Sequence, residues 1–401
     1  MTDSARRSLS PLVFLFITVT IEVMGSSLLF PVIPFVVQQF RADALTIGLL
    51  SSSFAIAQFL AAPFLGALSD RVGRRPVLLA CALGTSASFF IFGFANTLWL
   101  LFASQIVNGL TGGVVSTAQA YIADVSKSPQ DRTKNFGLLG AAAGLGFIFG
   151  PALGGVLAAI ALKLPAFVAG AIALGNTCLG YFTLPESLKV KRADPINVTD
   201  LNPIKQLGTL FAKLQLRYLL IGYFIFFLAF AGFTNNFSVY VRDRFEWGPP
   251  NIAGILLIVG IVSSLVQGGL IRKLVPRFGE IRLAIAGLSL VVVSLVLVAL
   301  APVGWYLYLT QILFALGVGI SSPPLRGLIA NAVSDSEQGI ASGGSQSLGS
   351  LTQILGPFFA GLLYDNLGQT VPIWAGVGLV LVALAAIVQS RQVSQELSAI
   401  R

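Results

Sequence analysis

One carboxylate lies where a carboxylate is expensive. Glu22 sits about eleven residues into an apolar stretch that starts at Pro11, which at 1.5 Å per residue places it roughly 16 Å deep, near the middle of a bilayer. An ionised side chain there costs on the order of 2.5–3.5 kcal/mol on insertion scales. A group that can shed its charge by taking up a proton has a use at such a depth. No other acid lies deep in an apolar stretch: Asp70, Asp124, Asp243, Asp335 and Asp365 fall at ends or in loops. The chain has no His, so the commonest metal ligand and the easiest proton carrier near neutral pH are both missing, and a titrating site must rest on a carboxylate. The other reading of Glu22 is a structural carboxylate, hydrogen-bonded to a neighbouring helix.

Two further clusters can do mechanical work. The segment Gly66-Ala67-Leu68-Ser69-Asp70-Arg71-Val72-Gly73-Arg74-Arg75-Pro76 joins two apolar stretches through a very short turn, and Gly73 supplies the backbone freedom a tight reversal needs. Its charges can bind or release a neighbouring helix end; alternatively its arginines only set membrane orientation. The second cluster is Gly140, Gly144, Gly146, Gly150, Pro151, Gly154 and Gly155. Glycines four residues apart form a groove in which another helix can lie close, while Pro151 frees a backbone carbonyl and bends the span.

The elements that position these residues are membrane helices. Of 401 residues, 55% are hydrophobic and only 10% charged, far from the roughly 25% charged typical of soluble domains. Breaks at charges, Pro-Gly clusters and polar runs leave twelve apolar stretches of about 20 residues or more, near 11–38, 44–69, 77–95, 98–122, 135–160, 164–184, 217–241, 250–271, 283–301, 304–328, 339–363 and 370–390. The apolar run from Pro11 is too long for the core of a signal peptide and is expected to be the first span, kept in the mature protein. Cys81 and Cys178 each stand alone in an apolar run and suggest packing rather than a disulfide or metal site.

The chain also repeats itself. Gly48 recurs as Gly254, Arg71 as Arg277, Gly73 as Gly279, Gln105 as Gln311, Gly113 as Gly319, Gly137 as Gly343, and Gly150-Pro151 as Gly356-Pro357, always 206 residues on. The expected architecture is an all-α membrane protein of twelve transmembrane helices in two pseudo-symmetric six-helix bundles, residues 1–184 and 217–401, joined by a polar linker, 185–216. An even number of spans per half makes the repeats parallel, with a cavity between two similar bundles. Of the 25 Lys and Arg, twenty fall on the side of the N-terminus, Arg41, Lys163, Arg242 and Arg244 on the other, and Arg326 inside a span. Both termini are therefore expected in the cytoplasm, and the net charge of +9 points to the inner membrane surface rather than to nucleic acid.

The turn from Gly66 to Arg75 resembles the G-x-x-x-D-R-x-G-R-R signature of the major facilitator superfamily, and its second copy is worn, with Pro276 in the place of Asp70. Gly146-x-x-x-Gly150-Pro151-x-x-Gly154-Gly155 resembles the antiporter motif of the drug-efflux branch. Glu22-Val23-Met24-Gly25 through Pro31-Val32-Ile33-Pro34 is similar to the first helix of tetracycline-type efflux proteins, with Glu where Asp is usual. One departure concerns coupling. That branch usually carries an arginine in the fourth helix, in the form R-x-x-Q-G, whereas this chain reads Gln105-Ile106-Val107-Asn108-Gly109.

The resemblance implies that helices 1, 4, 7 and 10 line the cavity, flanked by 2, 5, 8 and 11. The candidates to meet substrate are then Gln58, Gln105, Asn108, Phe224, Phe227, Phe230, Asn235, Asn236, Gln311 and Gln346; bonding between helices is the alternative for each polar one. Arg326 either reaches the interface or pairs with a carboxylate such as Asp335. The implied activity is export of a small amphipathic or lipophilic compound by alternating access in exchange for protons, with Glu22 as the coupling group and Gly66, Asp70, Arg71, Gly73, Arg74 and Arg75 as the conformational switch. No cofactor, metal, catalytic residue or nucleic-acid partner is expected, and the protein is expected to be a monomer in a bacterial inner membrane. An uncoupled or differently coupled carrier of a sugar, metabolite or lipid is the nearest alternative, and a membrane sensor or scaffold is the next.

Overall fold

The computed structural model describes residues 11–40, 43–126, 128–188, 211, 214–333 and 338–400. The expected interbundle linker lies largely outside them, as do Arg41, Lys127 and Asp335. In chain order the helices are α1 Pro11–Leu28, α2 Ile33–Gln38, α3 Ala44–Val72, α4 Arg74–Phe94, α5 Leu98–Leu110, α6 Val114–Val125, α7 Pro129–Ile160 and α8 Leu164–Thr183. They continue with α9 Leu214–Phe245, α10 Pro249–Leu265, a π-turn Val266–Leu270, α11 Ile271–Phe278, α12 Glu280–Ala299, α13 Tyr306–Asn331, α14 Gln338–Leu367 and α15 Val371–Ile400. There is no β-strand among the described residues. Eleven segments are long and apolar enough to cross a membrane, taking α5 with α6 and α10 through α11 as one each. The thirty-residue helix α14 occupies the remaining stretch.

Three stretches expected as single spans are subdivided, each for a local reason. The first divides into α1 and α2 around Pro31 and Pro34, which cannot donate backbone N–H groups to a helix. The fourth divides at Thr111-Gly112-Gly113, where two successive glycines are weak helix formers and the Thr111 hydroxyl donates back to the Val107 carbonyl at 2.9 Å. The eighth passes through the π-turn that contains Gly268 and Gly269. Helix α7, by contrast, starts cleanly: Ser128 accepts the Asp131 amide at 3.1 Å, and Pro129 opens the first turn.

By contacts the chain forms two compact units, Met1–Val36 with Ser53–Ile196, and Val37–Ser52 with Asn197–Arg401. In the first, α1 packs on α7 and α8, and α4 packs on α8, α5 and α6. Its core gathers Phe14, Leu15, Val19, Leu78, Ala118, Tyr121 and Ile122. Cys81 is buried in an adjoining cluster with Val77, Ala82 and Val114, whereas Cys178 is exposed and does not serve the packing expected of it. In the second unit, α9 packs on α14 and α15, and α12 on α13 and α15. The repeat in sequence is thus a repeat in packing: α9 on α14 corresponds to α1 on α7.

Glycine makes both of those contacts possible. A Cβ placed on Gly146 would lie 2.6 Å from the Thr20 carbonyl oxygen and 2.8 Å from the Met24 amide nitrogen; one on Gly150 would meet Ser27 Oγ and, at 2.6 Å, the Met24 carbonyl; one on Gly154 would meet the Leu28 carbonyl. In the second unit a Cβ on Gly356 would stand 2.9 Å from the Leu228 carbonyl and from the Gly232 amide nitrogen. Gly140 lies off this stripe, with nothing within 4 Å of its Cβ position, so it takes no part in the groove expected from the sequence.

Within the second unit, the first turn of α3 is capped twice. Asp365 on α14 accepts the Ala44 and Leu45 amides at 3.2 and 2.7 Å. Asp43 accepts the Thr46 amide and hydroxyl at 2.9 and 2.7 Å, and the bonds from Thr46 hold its carboxyl below the ordinary carboxylate value.

Gly150→Leu is expected to lower the thermal unfolding temperature of the purified protein clearly, because overpacking of this kind costs about 1–3 kcal/mol. Gly140→Ala, whose Cβ enters open space, is expected to leave it unchanged. Equal melting of the two variants would contradict the assignment of the stripe.

Candidate functional site

Glu22 lies on α1 within the stretch that the glycine stripe of α7 packs against, and its side chain turns to α4. Ser27, one turn and a half further on, donates its hydroxyl to the Gly146 carbonyl at 3.1 Å. The carboxylate accepts the hydroxyl of Thr85 on α4 at 3.3 Å, and Thr85 is fully buried. The Thr85 carbonyl in turn accepts the Ser88 hydroxyl at 2.7 Å. Glu22 forms no ion pair among the described residues. A carboxylate held by a single neutral hydroxyl, with no counter-ion, can be neutralised by a proton or by a cationic ligand. Thr85 was not foreseen from the sequence; a threonine inside an apolar span facing an intramembrane acid is the signal that could have found it.

The turn between α3 and α4 is a single residue, Gly73, with φ +126°. Arg74 binds Asp70 at 2.5 Å, Asp124 at 3.1 Å and the Ser69 hydroxyl at 2.6 Å. Glu186 accepts the Arg74 and Arg75 amides at 2.9 and 3.2 Å and so caps α4, placing negative charge on a helix N-terminus. A Cβ on Gly73 would collide with that same carboxylate. The Arg75 guanidinium donates to the Tyr181 carbonyl at 2.6 Å and lies over the Tyr181 ring. By sequence Glu186 falls in the linker stretch and Asp124 at a helix end; the geometry makes both of them partners of the Asp70–Arg75 turn. Gly66 faces open space.

The expected cavity residues divide into those with partners and those without. Gln105 and Asn108, one turn apart on α5, are nearly buried, and their amides make no hydrogen bond among the described residues. Gln311 on α13, the repeat counterpart of Gln105, is only 3% exposed, and its Nε2 has no partner. Asn236 donates to the Ala360 carbonyl at 3.0 Å, leaving its Oδ1 unpaired. Asn235 accepts the Ser51 hydroxyl and leaves its Nδ2 unpaired. Gln58 lies against Gly112 at the break between α5 and α6, and Gln346 is exposed on α14.

Phe227 and Phe230 join Phe233 and Phe314 in an aromatic wall, with Phe230 and Phe314 stacked at 6.0 Å. Phe314 and Phe233 were not among the expected residues. Phe224 is half-buried outside that wall. Arg326 lies 5.9 Å over the Phe227 ring, a cation–π contact. Unpaired buried amides beside aromatic rings are the usual furniture of a small-molecule pocket. Among the described residues no group of three or more His, Cys, Asp or Glu could hold a metal ion.

The profile of the Major Facilitator Superfamily matches residues 15–278 and 273–398. The chain is 36% identical over 379 residues to the tetracycline resistance protein, class C, of Escherichia coli, covering 94% of each chain. It is 30% identical over 374 residues to multidrug resistance protein 2 of Bacillus subtilis (strain 168), covering 91% of each. The crystal structure of the nucleoside transporter NupG superposes with a TM-score of 0.78 at 15% identity, covering 95% of this chain and 99% of that one, a likeness of fold.

Glu186→Ala removes the carboxylate that caps α4. It is expected to cost about 1 kcal/mol, read as a lower unfolding temperature, while Glu186→Asp recovers part of the loss. A variant as stable as the parent would show the cap to be idle.

Proposed function

The chain belongs to the Major Facilitator Superfamily, a family of multi-pass membrane transporters, and from that premise we propose that it exports a small amphipathic or lipophilic drug in exchange for protons. Glu22 carries the reading: a mid-depth carboxylate with one hydroxyl partner, Thr85, and no counter-ion among the described residues. Its resting place in a bacterial inner membrane, with both termini in the cytoplasm, is supported by the distribution of Lys and Arg. Resemblance along the whole chain to a tetracycline resistance protein makes tetracycline the first compound to try.

In the proposed cycle the deprotonated site, open to the cytoplasm, takes up substrate against the aromatic wall and the unpaired amides. Once the site is exposed on the other side, substrate leaves and a proton neutralises Glu22. The return step carries that proton inward, and moving one charge across the membrane yields ~2.3 kcal/mol per 100 mV. Asp70, Arg74 and their partners Asp124 and Glu186 hold the α3–α4 turn in one of the two states. The second reading is an uncoupled carrier, and the observation that favours it is Gln105 in place of the branch's arginine.

Everted vesicles decide between the two. Tetracycline uptake driven by a proton gradient is expected, with Glu22→Gln reducing it at least about tenfold, the range of a lost proton-transfer group. Substrate added to energised vesicles should also discharge the gradient, seen with a pH-sensitive dye. Flux with a silent dye would establish the uncoupled carrier, and pH-driven flux undiminished in Glu22→Gln would remove the proposed coupling group.

A further inference from the structure

The two repeats treat the same turn in opposite ways. Between α3 and α4, Arg74 is neutralised by Asp70 and Asp124, and Glu186 caps the following helix. Moved on by 206 residues, those three acids fall on Pro276, Ala330 and Gln392. The turn between α11 and α12 keeps the one-residue reversal, at Gly279 with φ +77°, but carries Arg272, Lys273, Arg277 and Arg282, all exposed. None of these four makes an ion pair or hydrogen bond among the described residues; Arg277 lies only over the ring of its neighbour Phe278, at 5.5 Å. The one acid of the turn, Glu280, is engaged by the Asn331 side-chain amide at 3.1 Å.

Exposed apolar side chains accompany these cations at the end of the same membrane-crossing segment. Leu265 is 69% exposed, Leu270 41% and Phe278 44%. The positive-inside tendency accounts for basic residues at this membrane face. It does not account for the loss of all three acids that neutralise the equivalent turn. A guanidinium fork and an ammonium match phosphate oxygens, and clusters of four or more Lys and Arg beside a membrane helix favour anionic lipid.

We propose that the α11–α12 turn is a binding site for an anionic phospholipid, its headgroup phosphate held by Arg272, Lys273, Arg277 and Arg282 and its acyl chains lying against Leu265, Leu270 and Phe278. The inference is independent of the transported substrate and of proton coupling.

Native mass spectrometry of the full-length protein, titrated with phosphatidylglycerol or with phosphatidylcholine, tests it. The parent protein is expected to bind phosphatidylglycerol at least about tenfold more tightly at low salt, with the preference shrinking as ionic strength rises. The combined variant Arg272→Gln, Lys273→Gln, Arg277→Gln and Arg282→Gln should lose the preference, and the all-lysine variant Arg272→Lys, Arg277→Lys and Arg282→Lys should keep most of it. Indifference of the parent to headgroup charge overturns the proposal whether or not the variants fold. So does an unaltered preference in the glutamine variant, or displacement of the lipid by an equal concentration of inorganic phosphate, which would mark a site for the free anion.

Discussion

Helix α1 is fixed by backbone lying almost directly on backbone. In a bilayer, lipid tails are as apolar as leucine, so burial of leucine gives little force between helices, and close van der Waals approach has to supply it. Gly146, Gly150 and Gly154 permit that approach along α1 from Thr20 to Leu28, and Glu22 lies inside the stretch so held. The same stretch of α1 carries the carboxylate that accepts the Thr85 hydroxyl from α4. The same device recurs where Gly356 of α14 meets Leu228 to Gly232 of α9, and both glycine helices carry a proline at the following position, Pro151 and Pro357.

The charge cluster at the α3–α4 turn follows from the same economy of space. A one-residue link needs a positive φ, which Gly73 provides, and its lack of a Cβ also leaves room for Glu186. That carboxylate satisfies amides at the start of α4 that no preceding turn can reach. Asp70 and Asp124 then share Arg74. Ion pairs near water are individually weak, but a connected set with defined partners can hold one arrangement of a helix end and release it as a unit.

Much of this was legible in the residues. Apolar run lengths gave the helices, and the 206-residue offset gave the correspondence of α1 with α9 and of α7 with α14. The glycine groove was readable at Gly146, Gly150 and Gly154 because a four-residue spacing keeps one helix face, whereas Gly140 falls off that face. What could not be read was partnership. Nothing local joins Glu22 to Thr85, 63 residues away, or Arg74 to Glu186, 112 residues away; only folding brings them together. Helix interruptions were hidden for a different reason. Thr111-Gly112-Gly113 and Val266–Leu270 are apolar enough to pass as continuous spans, and hydropathy does not register backbone geometry.

The repeat is most informative where it fails. Glu22 and Thr85 correspond to Leu228 and Val291, so the second unit repeats the packing of the first and replaces its hydrogen-bonded carboxylate pair by hydrocarbon. Gln105 and Gln311, in contrast, persist at equivalent places, both buried. A buried amide without a partner costs folding free energy, and at Gln311, whose Nε2 has none, that cost has a physical meaning if something other than the protein supplies the hydrogen bond. The two units thus keep the same amide at equivalent places, while the carboxylate Glu22 belongs to the first alone.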